Sequence, residues 1–468
     1  MSTIWTKLGE KFTDIFKKNM PNAFVFALIL TLLTALISFF WIGATPLKII
    51  QSWYDGFWTL LEFGMQMVLL IITGYSIALS PIVEKGIDRL TQYIKTPKQV
   101  YLFVVLIGIL LCMISWGWLV ITALLARELA LRVKGINYYY LIACVYFSHI
   151  GWVSGLSSSI PLLLNTEKNY LIEGGILAST IPTSYTLGST LNIGMIVLFV
   201  VVAPLIMLLL VPKDNSGKEL KDLLVSTDKS SQLNIKEEAE SFKLPFKAIS
   251  DQLNNSMVLQ YIIGLMGLTY IIFHFTTKGL DLNLNIMIFV FLMLGLFLHK
   301  TPMRYSISMK RASSNVSGIL FQFPFYAGIM GIMTFTGLGE RLGQVIASIA
   351  TIDSYPVYAY ILGGIVNFAI PSGGGEFAVI GPSVIEAVNN IGAGLSATEM
   401  TEMISRASLS MAYGEALTNL LQPFYLLLVL PIMAAGIKIQ ARDVMGYLVL
   451  PFLVFFIIQL IMVVWMPI

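Results

Sequence analysis

The chain has 468 residues, 57% of them hydrophobic and only 12% charged, with a mean hydropathy of +0.81. A soluble domain of this length would carry roughly twice that charge, so the composition is that of a polytopic membrane protein. The net charge of +3 is small and points to no nucleic-acid partner.

Lys7, Lys11, Lys17 and Lys18 precede the first apolar run. That run is too long for a secretory signal and no small-residue cleavage site follows it, so it reads as a retained span behind a cytoplasmic N-terminal segment, 1–22. Full spans are expected at about 23–41, 59–80, 138–164 and 190–211, each long enough to cross the hydrocarbon. Between them the apolar stretch 100–133 is interrupted at Ile114-Ser115-Trp116-Gly117-Trp118 and reads as a hairpin that turns back. Residues 212–256 are rich in Lys, Glu, Asp and Ser with little apolar periodicity, as in a cytoplasmic linker that is partly disordered. A connecting transmembrane helix follows within 257–283. Further spans are expected at about 284–299, 315–336, 405–433 and 445–467, with a second hairpin at 356–390 interrupted at Ile370-Pro371-Ser372-Gly373-Gly374-Gly375-Glu376. Val83 to Lys95 and Leu338 to Ile352 have the mixed spacing of helices lying in the membrane interface. The two cysteines, Cys112 and Cys144, sit inside apolar runs and read as small buried hydrophobes without a disulfide framework.

The expected architecture is therefore all-α, with about nine transmembrane helices and two re-entrant helical hairpins. The segments 23–211 and 284–468 run through the same order of elements. A single connecting span between them inverts the second repeat relative to the first. With the N-terminus inside, most of the 29 Lys and Arg residues fall in cytoplasmic segments, leaving Lys48, Lys168, Lys278, Arg341 and Arg406 on the other face. This places the C-terminus outside.

Paired broken helices in corresponding places of two halves mark a transporter's substrate site. Hydrocarbon cannot satisfy the backbone groups freed at such breaks, so they survive only within protein or beside water. Helix N-termini there suit an anion, and exposed carbonyls and hydroxyls suit a hard cation such as Na⁺. The candidates for substrate binding are Ser115, Trp116 and Gly117 at the first tip and Ser372, Gly373, Gly374 and Gly375 at the second. Two further interrupted helices add Ser157, Ser158 and Ser159, and Glu415 and Asn419. Ser115, Gly155, Ser372, Glu376 and Glu415 are the candidates for ion coupling, since acids inside a membrane face a cavity, pair or carry a proton. His149 reads as a satisfied core histidine, and Glu62 as a structural pair with Gln66 one turn on. His274 and His299 fall at span ends and read as interfacial, and Arg127-Glu128 as an anchor. No nucleotide loop, metal-ligand cluster or nucleophile elbow is present in the sequence, so neither an ATP-driven pump nor an enzyme is indicated and no cofactor is called for.

Several motifs together resemble the bacterial short-chain fatty acid transporter family, of the acetoacetate and butyrate uptake type within the wider ion-transporter superfamily. They are Asp55-Gly56-Phe57-Trp58 with Phe63 to Met67, Phe323-Pro324-Phe325-Tyr326-Ala327-Gly328, Asn367 to Gly375, and Ala412-Tyr413-Gly414-Glu415 with Asn419 and Gln422-Pro423-Phe424. The resemblance runs over nearly the whole chain and is weakest in the linker. It implies a homodimer in the bacterial cytoplasmic (inner) membrane. A rigid scaffold would hold a transport domain, made of both hairpins, that slides as an elevator with Na⁺ or H⁺ coupling. Against the family pattern, Glu376 stands where histidine is common, Glu62 where a small apolar residue is expected and His149 where an apolar aromatic is expected. Residues 155–159 are more serine-rich than the glycine-rich pattern of the family. The substrate the resemblance implies is a small monocarboxylate, and the lack of an arginine at depth fits a single weakly held charge better than a dicarboxylate. The alternatives are a same-fold transporter of another organic anion, dicarboxylate or amino acid and, further off, a membrane-embedded enzyme or a channel.

Overall fold

Every regular element among the described residues of the computed structural model is a helix. The structure describes residues 23–59, 61–166, 169–173, 175–212, 218–224, 234–279, 284–313, 316–368, 370–434 and 436–468. The N-terminal segment 1–22 with its four lysines lies outside them. Among the described residues, five helical runs are long and apolar enough to cross a membrane: Pro97–Ile114, Tyr138–Leu164, Thr190–Leu209, Ile249–Lys278 and Met445–Trp465. Shorter apolar helical stretches cover 27–42, 285–299, 324–335 and 355–366.

The first half begins with α1 (Ala23–Ile37), α2 (Pro46–Thr59), α3 (Leu61–Ala78) and α4 (Pro81–Thr91). The first interrupted stretch is α5 (Pro97–Ile114), a 3₁₀ turn over Trp116–Trp118, and α6 (Leu119–Arg132). Then come α7 (Tyr138–Ser148), a 3₁₀ segment His149–Ser154, α8 (Ser159–Leu164), α9 (Thr190–Val197) and α10 (Ala203–Leu209). Past the connecting α11 (Met257–Lys278) lie α12 (Leu284–His299), α13 (Pro302–Ser313), α14 (Ser317–Phe335) and α15 (Leu338–Ile349). The second interrupted stretch is α16 (Tyr355–Val366) and α17 (Gly373–Ile391), followed by α18 (Ala397–Thr418), α19 (Leu426–Met433) and α20 (Val449–Trp465).

The starts of these helices are written locally. Thr96 caps α5 and Ser396 caps α18, each in a capping box closed by Gln99 or Glu399 three residues on. Ser80 caps α4 ahead of Pro81, and Asn137, Ser189 and Ser256 each accept a first-turn N–H of α7, α9 and α11.

Packing crosses between the halves. The opening helices α1 and α2 lie against α14, while α12 and α13 lie against α3. α6 packs on α19, and α8 packs on α17 and α18. Within each half the broken stretch lies along the helix that follows it: α5 beside α7 and the 3₁₀ segment, α16 beside α18. Two helices fall between the spans expected from the sequence, α2 between 23–41 and 59–80 and α13 between 284–299 and 315–336. α13 is tied down by a 2.6 Å bond between Ser308 Oγ and Ser76 Oγ. His299, expected at an interface, is buried just before it and donates from Nε2 to Ser76 O at 2.8 Å.

The described part of the linker folds into the short helices 220–223, 235–241 and 249–254. It is pinned to the membrane body because Glu219 Oε1 accepts from Gly135 N at 2.9 Å, Lys218 O accepts from Tyr138 N at 2.9 Å, and Glu238 pairs with Arg311. Arg127 acts as an anchor, donating to Ile432 O at 3.3 Å and Met433 O at 2.7 Å at the end of α19.

Candidate functional site

The second break sits where three segments converge on α17. Ser372 is extended (φ −151°, ψ 110°) and caps the helix, its hydroxyl accepting from Gly375 N at 3.3 Å. A Cβ placed on Gly373 would stand 2.8 Å from Trp152 Cη2, 3.2 Å from Ser159 Oγ and 3.3 Å from Glu415 Oε2. Glycine is the residue that lets α17 begin there. On Gly374 the nearest atoms are again those of Ser159. One point thus gathers Ser159 and Trp152 from the interrupted helix of the first half, Gly373 and Gly374 from the second tip, and Glu415 from α18.

Glu415 and Glu376 are both completely buried. Asn419 Nδ2 donates to Glu415 Oε1 at 3.1 Å, and Asn419 Oδ1 accepts from Gln422 Nε2 at 2.7 Å and Asn367 Nδ2 at 3.0 Å. Asn367 also donates to Thr418 Oγ1 at 2.8 Å, and Gln422 to Asn367 O at 3.2 Å. The α18 helix opens at Asn419–Leu421, and Tyr146 of α7 holds the freed carbonyls, its hydroxyl donating to Asn419 O at 2.7 Å and Gln422 O at 3.0 Å. This network has more acceptors than donors. Glu415 Oε2, both oxygens of Glu376, Asn367 Oδ1 and Gln422 Oε1 are buried with no hydrogen-bond partner.

The first break gathers different residues. Ser115 is also extended, and Gly155 approaches so closely that a Cβ on it would overlap the Met113 backbone. Ser157 Oγ donates to Cys112 O at 2.7 Å, and a Cβ on Gly74 of α3 would be 3.5 Å from Gly117 O. Ser115, Trp116, Gly117, Gly155 and Ser157 therefore form one cluster. Ser159, Ser372, Gly373, Gly374, Gly375, Glu376, Glu415 and Asn419 form another. Ser158, between them in sequence, is buried with its hydroxyl unpartnered.

Tyr425, not singled out from the sequence, connects the two. Its ring packs edge-on against Trp116 with centroids 6.0 Å apart, and its hydroxyl donates to Pro371 O at 2.8 Å. An aromatic two residues past Pro423, in the region where α18 breaks, was the available signal. His149 is a packed core residue, but only half satisfied: Nδ1 donates to Tyr146 O at 3.2 Å and the ring stacks on Tyr146 at 5.3 Å, while Nε2 is buried with no hydrogen-bond partner. Gln66 donates to Asn285 Oδ1 at 2.8 Å. The side chain of Glu62, the expected partner of Gln66, lies outside the described set. Among the described residues no group of three or more His, Cys, Asp or Glu is placed to hold a metal ion.

Long apolar helices and a buried polar centre at paired helix breaks define an integral membrane transporter. The family model described as short chain fatty acid transporter matches residues 4–466, and the chain belongs to that family. A relative from Escherichia coli (strain K12), named for short-chain fatty acid transport, is 36% identical over 94% of this chain and 95% of its own. One from Haemophilus influenzae (strain ATCC 51907 / DSM 11121 / KW20 / Rd), similarly named, is 33% identical over the same shares. The solved structure of Neisseria gonorrhoeae MtrF, described within a class of antimetabolite efflux pumps, is similar with a TM-score of 0.44 and 15% identity over 97% of each chain. The chain is a transporter and not an enzyme, as the family and its named members are.

Proposed function

We propose that the protein is a secondary active transporter of short-chain fatty acids, small monocarboxylates of the acetoacetate or butyrate type, in the bacterial cytoplasmic membrane. Cation coupling by Na⁺ or H⁺ and a homodimeric elevator belong to the same proposal. The observation that carries it is the convergence at Gly373 of elements from both halves, in a member of this family. The first turn of α17 offers N–H groups without helical acceptors, and Ser159 adds a hydroxyl, as a carboxylate requires. No lysine or arginine is bonded to Ser159, Ser372 or either acid among the described hydrogen bonds and ion pairs, which suits one weakly held negative charge.

Reciprocal packing supports the inverted-repeat reading. Each half lays its opening helices on the other half's α3 or α14, and the second arm of each broken stretch, α6 or α17, meets the piece beyond the other half's break, α19 or α8. In this reading α5–α6 and α16–α17 are re-entrant hairpins entering from opposite faces. They move with α7–α8 and α18–α19 as the transport unit.

Uptake of labelled butyrate and acetoacetate into proteoliposomes under imposed Na⁺, H⁺ or no gradient tests the function, with protein-free liposomes as the control for passive entry. Protein-dependent accumulation above equilibrium under one gradient is expected. Folded protein that moves neither acid under any gradient overturns the proposal.

A further inference from the structure

The corner between α12 and α13 is rigidly built, yet its donors and positive charges are unmatched. Tyr305 folds α13 back on α12, its hydroxyl donating to Leu292 O at 3.2 Å and its ring filling the space that Gly295 leaves. The ring also stacks on His299, with centroids 5.9 Å apart. The chain turns at Lys300, the one non-glycine residue with positive φ (68°) among those described. Thr301 then stands where a helix cap belongs, directly ahead of Pro302.

Thr301 caps nothing, however. Its hydroxyl is buried with no partner, the residue being 6% exposed. Pro302 has no N–H, and the N–H groups of Met303 and Arg304 meet no acceptor among the described hydrogen bonds. The first turn of α13 holds no acid. It holds Arg304 instead, with Lys300 just ahead, although the helix dipole already makes that end positive. Arg304 Nε is buried and unpartnered, and neither cation meets a carboxylate among the described ion pairs. The acids of the neighbouring helix 235–241 are engaged elsewhere: Glu237 with Asn234 N, Glu238 with Arg311 and Glu240 with Lys243. Free N–H groups, an idle hydroxyl and two cations at one helix start are what an anion requires.

The surface beside this corner is apolar. Phe242, Leu244, Phe246, Ile249 and Leu253 are exposed in the run that leads from helix 235–241 to α11. Both ends of that run are fixed next to the corner. Helix 235–241 lies along α13, and Gln260 near the start of α11 donates from Nε2 to Leu296 O at 2.7 Å, one turn before Lys300. We propose that the corner binds the phosphate of an anionic phospholipid headgroup, with the acyl chains resting on this apolar run. Phosphate oxygens accept from the Met303 and Arg304 N–H groups and from the Thr301 hydroxyl, while Lys300 and Arg304 balance the charge. A choline headgroup would set a third positive charge beside those two. A free phosphate ion would meet the same donors but leave the apolar run facing water. The site concerns the membrane around the protein and is independent of what the protein carries.

The site is tested on the full-length protein in detergent by native mass spectrometry, with equal amounts of phosphatidylglycerol and phosphatidylcholine of the same chains. The parent is expected to retain phosphatidylglycerol in preference. Arg304→Gln is expected to cut that preference about tenfold, the effect of losing a hydrogen bond to a charged group. Lys300→Gly removes a charge yet suits the left-handed backbone, so it is expected to fold and to lower the preference about fivefold. It decides the matter should Arg304→Gln fail to fold. Lys310→Gln, at an exposed position toward the other end of α13, is expected to keep the preference of the parent. Equal retention of both lipids by the parent, or an undiminished preference in the variants at 300 and 304, overturns the site. A matching loss in Lys310→Gln overturns it in favour of a diffuse basic surface.

Thermal unfolding in nanodiscs separates the lipid from the free ion. Adding phosphatidylglycerol to phosphatidylcholine discs is expected to raise the melting temperature of the parent more than that of Arg304→Gln. Inorganic phosphate added to discs of phosphatidylcholine alone is expected to do no more than potassium chloride at the same ionic strength. Stabilisation by inorganic phosphate that Arg304→Gln abolishes, with no gain from phosphatidylglycerol, overturns the lipid occupant and leaves a site for the free ion.

Discussion

At the first break Ser115 has φ −154° and ψ 124°, and at the second Ser372 has φ −151° and ψ 110°. The backbone leaves the helix in nearly the same way at both, yet the next residues differ. After Ser115 come two tryptophans in a 3₁₀ turn, one stacked on Phe291 of α12 at 5.6 Å and the other against Tyr425. The Ser115 hydroxyl caps nothing in that turn. After Ser372 come three glycines, a capped helix of 19 residues and a buried acid. The first break is filled with side chains, and the second is left open to neighbours from the other half. A shared backbone plan is thus packed with aromatic side chains in one place and begins a glycine-rich helix in the other, the place where the proposed function puts the substrate.

The comparison is broken most severely by adding one methyl group at each place. Gly155→Ala would drive its Cβ into the Met113 backbone, which has no side chain to swing aside. The expected cost is about 3 kcal/mol, the upper end of ordinary overpacking, seen as poor yield and a lowered melting temperature. Gly373→Ala meets the ends of Trp152, Ser159 and Glu415, which can give way. Its expected cost is about 1 kcal/mol, with butyrate uptake reduced far more than stability. Equal stability losses measured by thermal unfolding would remove the distinction between a packed first break and a proposed site at the second.

A smaller effect is expected at the link between the two. Tyr425→Phe keeps the ring on Trp116 and deletes the hydroxyl that donates to Pro371 O. Removing a single buried hydrogen bond of this kind costs about 1 kcal/mol. If Tyr425 holds the second tip in register, uptake falls with it while Trp116→Phe, which preserves an aromatic contact, stays close to the parent. The opposite ranking would mean that the ring, not the hydroxyl, carries the connection.

Much of this layout was legible in the sequence because hydrocarbon leaves so little choice. A Ser-Gly run inside an apolar stretch breaks a helix wherever it stands, so both breaks were visible, as were the amphipathic helices at Pro81 and Leu338. Two helices were not, α2 and α13, and each lies between the first and second long apolar helix of its half. Their polar residues, Lys48, Gln51 and Asp55 in one and Arg304, Lys310 and Arg311 in the other, outweigh the apolar spacing that seats them on α14 and α3. What could not be read was partnership. Ser157, Ser158 and Ser159 are identical in type and consecutive, but a helix start rotates them apart: Ser157 toward Cys112, Ser159 toward Gly373. Composition sets which residues could bind, and only the fold decides which of them face each other.

The mildest test concerns the two tip serines, which the sequence presents as equivalents. Ser372→Ala removes an N-cap, worth about 1 kcal/mol, and frees the Gly375 N–H at the mouth of the site. Ser115→Ala removes a buried hydroxyl that caps no helix, so a loss smaller than that of the cap, under about 1 kcal/mol, is expected. Uptake of butyrate is expected to fall for the alanine at 372 and to persist for the alanine at 115. Because both substitutions delete the same atom from nearly the same backbone geometry, any difference between them reports the surroundings alone. Matching losses would return both serines to the site and place the substrate between the tips rather than at α17.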